Sequence, residues 1–155
     1  LHLCDRRQRQ MCIRDRDTVA RYKYISRNGR VDGYYSGYTF ANQLGVTTQV
    51  PYMVEIVSNN ASARVREVNL HGRRVLLRKA RVLVTKENYR ILQFLDFLKD
   101  IDQYADENDK ILSDRIRKYV VDVQIKKTEI DCYIKQYPDR IYRYIYEMRL
   151  YDVFA

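Results

Sequence analysis

A chain of 155 residues has the length of about one domain and can bury a core of its own. Hydrophobic residues make up 46% and charged residues 32%, which excludes a disordered composition, and no apolar run approaches the roughly 20 residues that cross a bilayer. The net charge of +9 favours an acidic partner, either nucleic acid or an acidic protein surface.

The first sixteen residues, LHLCDRRQRQMCIRDR, differ from the rest of the chain. They begin without Met, show no helical or strand period, and carry five Arg against two Asp. The string MCIRDR resembles translated sequencing-adapter read-through of the kind found at the ends of metagenomic gene fragments. We therefore expect residues 1–16 to be a non-native prefix. The alternative is a natural basic arm that contacts phosphates. Without the prefix the net charge is +6.

Cysteine usage points to a reducing compartment. Outside the prefix, Cys132 is the one cysteine of the sequence, and one thiol forms neither an intramolecular disulfide nor a thiolate metal cluster. We expect a cytoplasmic protein in which Cys132 packs as a small apolar residue on a helix.

After the prefix, residues 17–26 (DTVARYKYIS) have the spacing of a helix end, with Asn28-Gly29 as its stop. A helix that begins beside the prefix looks truncated. We expect residues 17–29 to be the end of a truncated N-terminal region, and residues 30–155 to form the principal α+β domain.

Residues 31–35 are apolar and aromatic and predict a short strand. Ser36 or Thr39 can then cap a brief helix that runs through Leu44, because their hydroxyls accept an unpaired backbone N–H. Gly45 suits the left-handed position that ends such a helix.

The stretch TFANQLGVTTQVP has the spacing of a DNA-binding helix-turn-helix. A recognition helix would have to begin near Thr47, and Pro51 would then lie inside it at a cost of about 3 kcal/mol. Proline also favours extended backbone at Val50. Residues 52–58 alternate as a strand does, so we predict a short helix that leads into a strand.

Two further strand candidates, residues 64–70 and 73–79, flank His71-Gly72, where glycine supplies the positive φ of a tight hairpin turn. After Leu83 the hydrophobic period changes from two to about 3.6, and Thr85 is a candidate N-cap. The fold class predicted is α+β, with a small antiparallel sheet followed by about four helices. The strands are expected near 31–35, 52–58, 64–70 and 73–79, and the helices near 86–101, 109–126, 128–137 and 139–151.

No constellation of residues indicates catalysis. His71 is expected at an exposed hairpin tip without a nucleophile signature beside it, and no phosphate loop or zinc-protease motif is present. An acidic group could suggest a metal-dependent hydrolytic enzyme, but its spacing is better explained by a solvated helix end and an acidic connector. The sequence favours a protein that is not an enzyme, with no cofactor and no metal. The acidic group comprises Asp96, Asp100, Asp102, Asp106, Glu107 and Asp109.

The strongest charge feature lies on the predicted hairpin, where basic side chains are opposed only by Glu67. A basic ribbon can lie on phosphates, and arginine can also bind base edges. The alternative is a solvated edge, where basic residues discourage aggregation. The candidate contact residues for nucleic acid or another partner are Arg64, Arg66, Arg73, Arg74, Arg78, Lys79 and Arg81.

Tyrosine is unusually frequent, with 15 copies. Six lie in the predicted last helices on more than one face, so some must pack inside and others leave aromatic surface of the kind common at interfaces. They are Tyr133, Tyr137, Tyr142, Tyr144, Tyr146 and Tyr151.

A family resemblance rests on four segments: GYYSGYTFANQLGVTTQVPYMVEIVSNN, RRVLLRKA, TKENYRILQFLDFLKDID and YPDRIYRYIYEMRLYDVFA. They resemble AbiEi-like antitoxins, and more narrowly small bacterial proteins of an uncharacterised family placed beside them. The likeness covers most of the chain from about Arg21 to Ala155.

The resemblance implies an antitoxin and transcriptional autoregulator of a type IV toxin–antitoxin (abortive infection) system. In such proteins an N-terminal winged helix-turn-helix binds operator DNA, and a genetically linked nucleotidyltransferase-like toxin is neutralised without need of a stable complex. We expect this chain to depart from that pattern by lacking the DNA-binding domain, so operator binding is expected of the complete protein and not of this fragment. The alternative function is a basic nucleic-acid-binding module that acts through the 64–81 hairpin. No membrane partner is expected.

Overall fold

The computed structural model describes residues 18–104 and 109–155 and confirms the α+β class. The predicted prefix, residues 1–16, and residues Asp106 and Glu107 of the acidic group lie outside the described residues. The strands are β1 (Ser26–Arg27), β2 (Arg30–Val31), β3 (Gly33–Tyr35), β4 (Val54–Ser58), β5 (Val65–Leu70) and β6 (Arg73–Lys79).

The helices follow the strands, apart from one short helix between β3 and β4. They are α1 (Gly37–Leu44), α2 (Tyr89–Lys99), α3 (Ile101–Tyr104), α4 (Asp109–Val123), α5 (Lys127–Tyr133) and α6 (Arg140–Glu147). Single 3₁₀ turns, Ile134–Gln136 and Leu150–Asp152, extend the last two helices of the prediction to nearly their expected ends. Residues 101–104 are helical where a connector was expected.

The N-terminal segment corrects one local expectation. Its helical residues end in a π-helical turn, Arg21–Ile25, and Asn28-Gly29 does not stop a helix but closes the β1–β2 hairpin. Both turn residues have positive φ, 53° and 80°, as a type I′ hairpin requires. The predicted strand 31–35 is consequently two strands in two sheets, separated by Asp32.

The expectation at Pro51 is confirmed. Helix α1 ends at Leu44, and Gly45 has φ 77° and ψ 16°, the left-handed conformation predicted for it. No helix follows between Thr47 and Met53, and β4 begins at Val54. The resemblance to a helix-turn-helix therefore ends at the glycine.

The four-stranded sheet has the order β3-β4-β6-β5. Its β3–β4 and β5–β6 pairs are antiparallel as expected, but β4 and β6 are parallel, with Val57 opposite Arg78. The sheet is therefore mixed, because β6 inserts between the two strands that precede it. Strand β5, the exposed partner of the hairpin, becomes an edge.

Directly paired residues share a face of the sheet, so the register defines two faces. The row Tyr34, Val57, Arg78 and Val65 belongs to the face that the helices cover at β3 and β4, here called the helix side. The row Tyr35, Ile56, Leu77 and Arg66 belongs to the opposite face.

Each face has its own core. The larger core lies on the helix side, where Tyr34 and Val57 pack with buried residues of α1, α2 and the C-terminal helices. The smaller core joins Val54, Ile56, Val75 and Leu77 to the N-terminal segment. Val75 and Leu77 of β6 are buried in this smaller core.

A hydrogen-bonded turn at Ser58-Asn59 connects these layers. The buried Ser58 hydroxyl donates to the Tyr24 carbonyl at 2.6 Å. The Asn59 side chain binds both backbone groups of Val84: Nδ2 donates to the carbonyl at 2.9 Å, and Oδ1 accepts from the N–H at 2.9 Å. The Asn59 N–H donates to the Asp32 carbonyl at 2.8 Å. One turn thus holds the N-terminal segment, the sheet and the β6–α2 linker.

Thr85, the predicted N-cap, forms hydrogen bonds ahead of α2 but is not the residue directly before the helix. The Thr85 hydroxyl accepts from the Asn88 N–H at 3.3 Å, and the Asn88 side chain accepts from the Thr85 N–H at 2.7 Å. This reciprocal pair resembles a capping box one turn ahead of the helix, which begins at Tyr89. By contrast, Cys132 is exposed on α5, so the expectation that it packs inside is wrong.

The substitution Asn59→Asp tests the turn. The new carboxylate retains an acceptor for the Val84 N–H but presents a second acceptor to the Val84 carbonyl, so we expect the free energy of unfolding to fall by about 1–3 kcal/mol. Urea denaturation measures it. The control is Asn69→Asp, which keeps the acceptor for the Gly72 N–H on the exposed hairpin and should change stability by less than about 0.5 kcal/mol. Equal losses in the two variants would contradict the role given to Asn59.

Candidate functional site

A cleft of about 350 Å³ opens between the end of β6, the linker after it, and helix α2. Val57 and Val65 line its apolar part. Basic side chains dominate the rest, with one carboxylate among them: the polar lining residues are Arg64, Arg78, Lys79, Arg81, Lys99 and Asp96.

The sheet register brings these residues together. Arg78 lies between Val57 of β4 and Val65 of β5 in the pairing, and the Lys79 N–H donates to the Arg64 carbonyl at 3.1 Å. The next residue, Ala80, donates its N–H to the Ser58 carbonyl at 3.2 Å. The linker that carries Arg81 is therefore fixed at the same turn that organises the two cores.

Helix α2 supplies the other wall. Asp96 and Lys99 are three residues apart, so they project from the same side of the helix, and Lys99 Nζ lies 3.8 Å from Asp96 Oδ1 and 3.4 Å from Asp100 Oδ2. Both side chains are largely buried, with 16% and 10% of the Lys99 and Asp96 side chains exposed.

The cations in the cleft exceed the carboxylates that neutralise them. Within residues 18–104 and 109–155, the Arg64 and Lys79 side chains form no ion pair. Arg78 lies 3.8 Å from Glu55, a distance at which the pair is weak and half the arginine remains exposed. A concave surface with unbalanced positive charge concentrates anions because low-dielectric walls focus the field.

Asp96 is anchored at the base of this cleft. The Tyr34 hydroxyl donates a hydrogen bond to Asp96 Oδ2. Burial raises the pKa of Asp96, against the lowering effects of that hydrogen bond and of the Lys99 and Arg81 charges. Burial likewise raises the pKa of Tyr34, and the adjacent Asp96 charge adds to the effect.

Arg81 is oriented by the C-terminal region. Its Nη1 lies 3.4 Å from the Gln136 carbonyl oxygen, and its guanidinium carbon lies 5.7 Å from the centre of the Tyr137 ring. The Tyr137 ring is buried, and burial raises the pKa of its hydroxyl. These two contacts orient the Arg81 guanidinium beside the cleft.

Such an arrangement suits an oxyanion such as phosphate. Arginine offers a planar fork of donors, while lysine offers a mobile point charge, and both types are used where phosphates bind. The cleft contains three arginines and two lysines. It can therefore hold a phosphate group without any contact to a base edge.

Four of the seven predicted contact residues line the cleft: Arg64, Arg78, Lys79 and Arg81. Lys79 is paired with Ser58 at the end of β6, so by register it belongs to the opposite face and reaches the cleft at the edge of the sheet. The other three do not line the cleft. By register, Arg66 and Arg73 lie on the opposite face, while Arg74 lies on the helix side near the hairpin tip, paired with Glu67 and 4.9 Å from the Tyr52 ring. The basic hairpin therefore does not present one continuous surface.

Lys99 is a site residue that the sequence did not indicate. The sequence does show that Lys99 lies three residues after Asp96 on an amphipathic helix. This spacing indicates that the two side chains lie on one side of the helix, but it does not indicate which strand or linker that side contacts. Asp96 belongs to the predicted acidic group, of which Asp96 and Asp100 both lie near Lys99 while Asp102 lies near Arg143 and Tyr144. Asp100 pairs with Arg140 at 3.1 Å, and Asp102 accepts from the Tyr144 hydroxyl at 2.6 Å.

Few other residues in the part of the chain that the structure describes could take part in catalysis or metal binding. His71 lies at the exposed tip of the β5–β6 hairpin with φ 49°, as expected. No group of three or more acidic, histidine or cysteine side chains among the described residues could hold a metal ion. None of the described helices is both long and apolar enough to cross a membrane.

Comparison with known proteins gives no relative: no family model, no curated protein and no solved structure matches this chain.

The Asp96→Asn substitution tests the electrostatics of the cleft. Because burial holds the pKa of Asp96 above its usual 3.8, the folded protein binds this proton more tightly than the unfolded chain does. Its contribution to stability is therefore present at low pH and is lost as pH rises from 3.8 through the folded pKa. The substituted asparagine cannot ionise but still accepts from Tyr34.

Urea denaturation of both proteins over a pH series measures the effect. The free energy of unfolding of Asp96→Asn minus that of the wild type should increase across this window and then become constant. A difference that is flat with pH, or that decreases, would show that burial does not govern this carboxyl.

Proposed function

We propose that this chain is a binding module that holds the phosphate backbone of nucleic acid in the basic cleft. The observation that carries the proposal is that five cationic residues line a cleft of about 350 Å³ in which Asp96 is the one carboxylate of the lining. Arg78, Lys79 and Arg81 belong to one basic run of the sequence, and the fold adds Arg64 from the chain before β5 and Lys99 from α2.

The geometry favours backbone binding over the recognition of sequence. Contacts to phosphate position a protein on nucleic acid, whereas sequence recognition needs side chains that reach base edges in a groove. The cleft offers positive charge but few side chains that could distinguish one base from another. The basic balance of the chain, +9 in total, would add long-range attraction toward a polyanion.

The double substitution Arg64→Ala with Lys79→Ala tests this proposal. Both side chains line the cleft and have no ion pair among the described residues, so their removal should weaken binding without loss of fold. We expect the slope of log affinity against log salt to become shallower by about 0.7–0.9 for each phosphate that the variant no longer neutralises. Fluorescence anisotropy with a labelled oligonucleotide, between about 50 and 200 mM salt, measures both quantities.

The matched control removes the same charge elsewhere. In the pair Arg66→Ala and Lys118→Ala, the first residue lies on the opposite face of the sheet and the second is on α4, away from the cleft lining. The control should bind nearly as the wild type does. If the wild type binds no oligonucleotide at low salt, or if the control loses as much affinity as the cleft variant, the proposal fails.

A second proposal comes from the sequence resemblance. We propose that the chain belongs to an antitoxin and transcriptional autoregulator of the AbiEi type, acts without catalysis in the cytoplasm, and opposes a nucleotidyltransferase-like toxin. The observation that favours it is aromatic surface on the C-terminal segment, where Tyr142, Tyr146 and Tyr151 are 41%, 81% and 41% exposed. Exposed tyrosines are frequent at sites of protein contact.

Co-expression tests the second proposal. The gene that adjoins the source of this chain should encode the toxin, and the chain together with its natural upstream sequence should restore growth when that toxin is induced. Unchanged growth arrest with soluble antitoxin present, or an adjoining gene without toxicity, would refute it.

A further inference from the structure

The helix side of the sheet is uncovered beyond the cleft. Helices α1 and α2 pack over β3 and β4, but Val65 of β5 is 51% exposed. The side chains of Arg74 and Arg78 are 45% and 46% exposed. A strip of open sheet, here called the β6 strip, therefore runs from the cleft at Arg78 to Arg74 near the hairpin tip.

An exposed aromatic ring stands at the far end of the β6 strip. Tyr52 is 73% exposed, and the Arg74 guanidinium lies 4.9 Å from the centre of its ring. Arg74 is held in turn by Glu67 on β5. The cation–π contact orients the ring beside a fixed positive charge and leaves most of it open to a ligand.

Tyr52 also borders a groove of about 260 Å³ that adjoins the strip. Leu76 and Glu55 line the groove, and Glu55 lies 3.8 Å from Arg78 of the cleft. The groove and the cleft are thus neighbours along one surface. Tyr52 lies in the bend between Pro51 and β4, outside both cores.

The dimensions of this surface fit a short length of nucleic acid. Arg74 and Arg78 are four residues apart on β6, about 13 Å at roughly 3.3 Å per residue. A positive track with an aromatic platform is the pattern by which proteins bind unpaired nucleic acid, because every base has a π-face that can stack. A duplex hides these faces within its own stack, so a platform such as Tyr52 would be of no use to it.

We propose that the cleft and the β6 strip bind single-stranded nucleic acid, with phosphates in the basic cleft and with a base stacked on Tyr52. This inference rests on the proposed function, since it names the class of nucleic acid that the cleft holds.

The test compares a short thymidine oligonucleotide with a duplex of equal length and with a single strand that carries abasic residues. The proteins are the wild type, Tyr52→Ala, Tyr52→Phe and the control Tyr146→Ala, which removes a similarly exposed tyrosine from α6. Anisotropy at several salt concentrations gives affinity and salt slope, and far-UV circular dichroism verifies the fold of each variant.

We expect the wild type to bind the single strand more tightly than the duplex. Tyr52→Ala should lose about five-fold or more in affinity for the single strand, the loss of one stacked base, with little change in salt slope. Tyr52→Phe and Tyr146→Ala should retain wild-type affinity. The abasic strand should bind the wild type and Tyr52→Ala equally.

Failures of the two proposals are distinguishable. Binding that is equal for single strand and duplex, or a Tyr52→Ala variant with unchanged affinity, would overturn the inference, while weakened binding by Arg64→Ala with Lys79→Ala would still support the cleft. The absence of binding to every oligonucleotide would overturn both.

Discussion

The Ser58-Asn59 turn is the constraint on which the rest of the structure depends. Strand β4 ends there. The short segment that connects β4 to β5 crosses the position of β6 in the sheet, and it places β5 at the outer edge. Such a connection lacks the regular hydrogen bonds of a ladder, so the turn residues supply them: Ser58 to Tyr24, and Asn59 to Asp32 and Val84. Buried polar groups without partners are costly, and the amide of Asn59 satisfies the donor and the acceptor of Val84 together.

The candidate site is a consequence of that turn. Because β6 enters between β4 and β5, its last residues lie beside Val57 and Ser58 and its continuation is directed over α2. Lys79 and Arg81 are thereby brought against Lys99 and Asp96, residues far from them in the sequence. The same pairing divides the arginines of the hairpin between the two faces, and the helix side carries the exposed ring of Tyr52 beside the groove that adjoins the cleft.

Local signals in the sequence predicted the elements well. Pro51 and the alternation after it indicated a strand and not a recognition helix, Gly45 indicated the helix end, and His71-Gly72 indicated the hairpin. Asn28-Gly29 is an equally strong turn signal, yet it was interpreted as a helix stop because the segment before it has helical spacing and its strands contain two residues each. Strands of that length have no readable period.

Long-range relations could not be predicted in the same way. Nothing local states that β6 pairs in parallel with β4, since that pairing joins residues such as Val54 and Val75 that are far apart in the sequence. The face to which each arginine points follows from that register, so the charge pattern alone predicts one basic ribbon where the structure has two faces. Lys99 could not be predicted as a site residue, because the pattern of an amphipathic helix shows which residues share a side but not which strand they contact.

The central claim is that nucleic acid binds at the cleft between β6 and α2. Amide chemical-shift mapping tests it most directly, with the isotopically labelled chain titrated by a short single-stranded oligonucleotide. We predict the largest shifts at Lys79, Arg81 and Lys99, with smaller ones along β6 toward Arg74. Shifts concentrated on the opposite face around Arg66, or on the C-terminal helix around Tyr146, would contradict it.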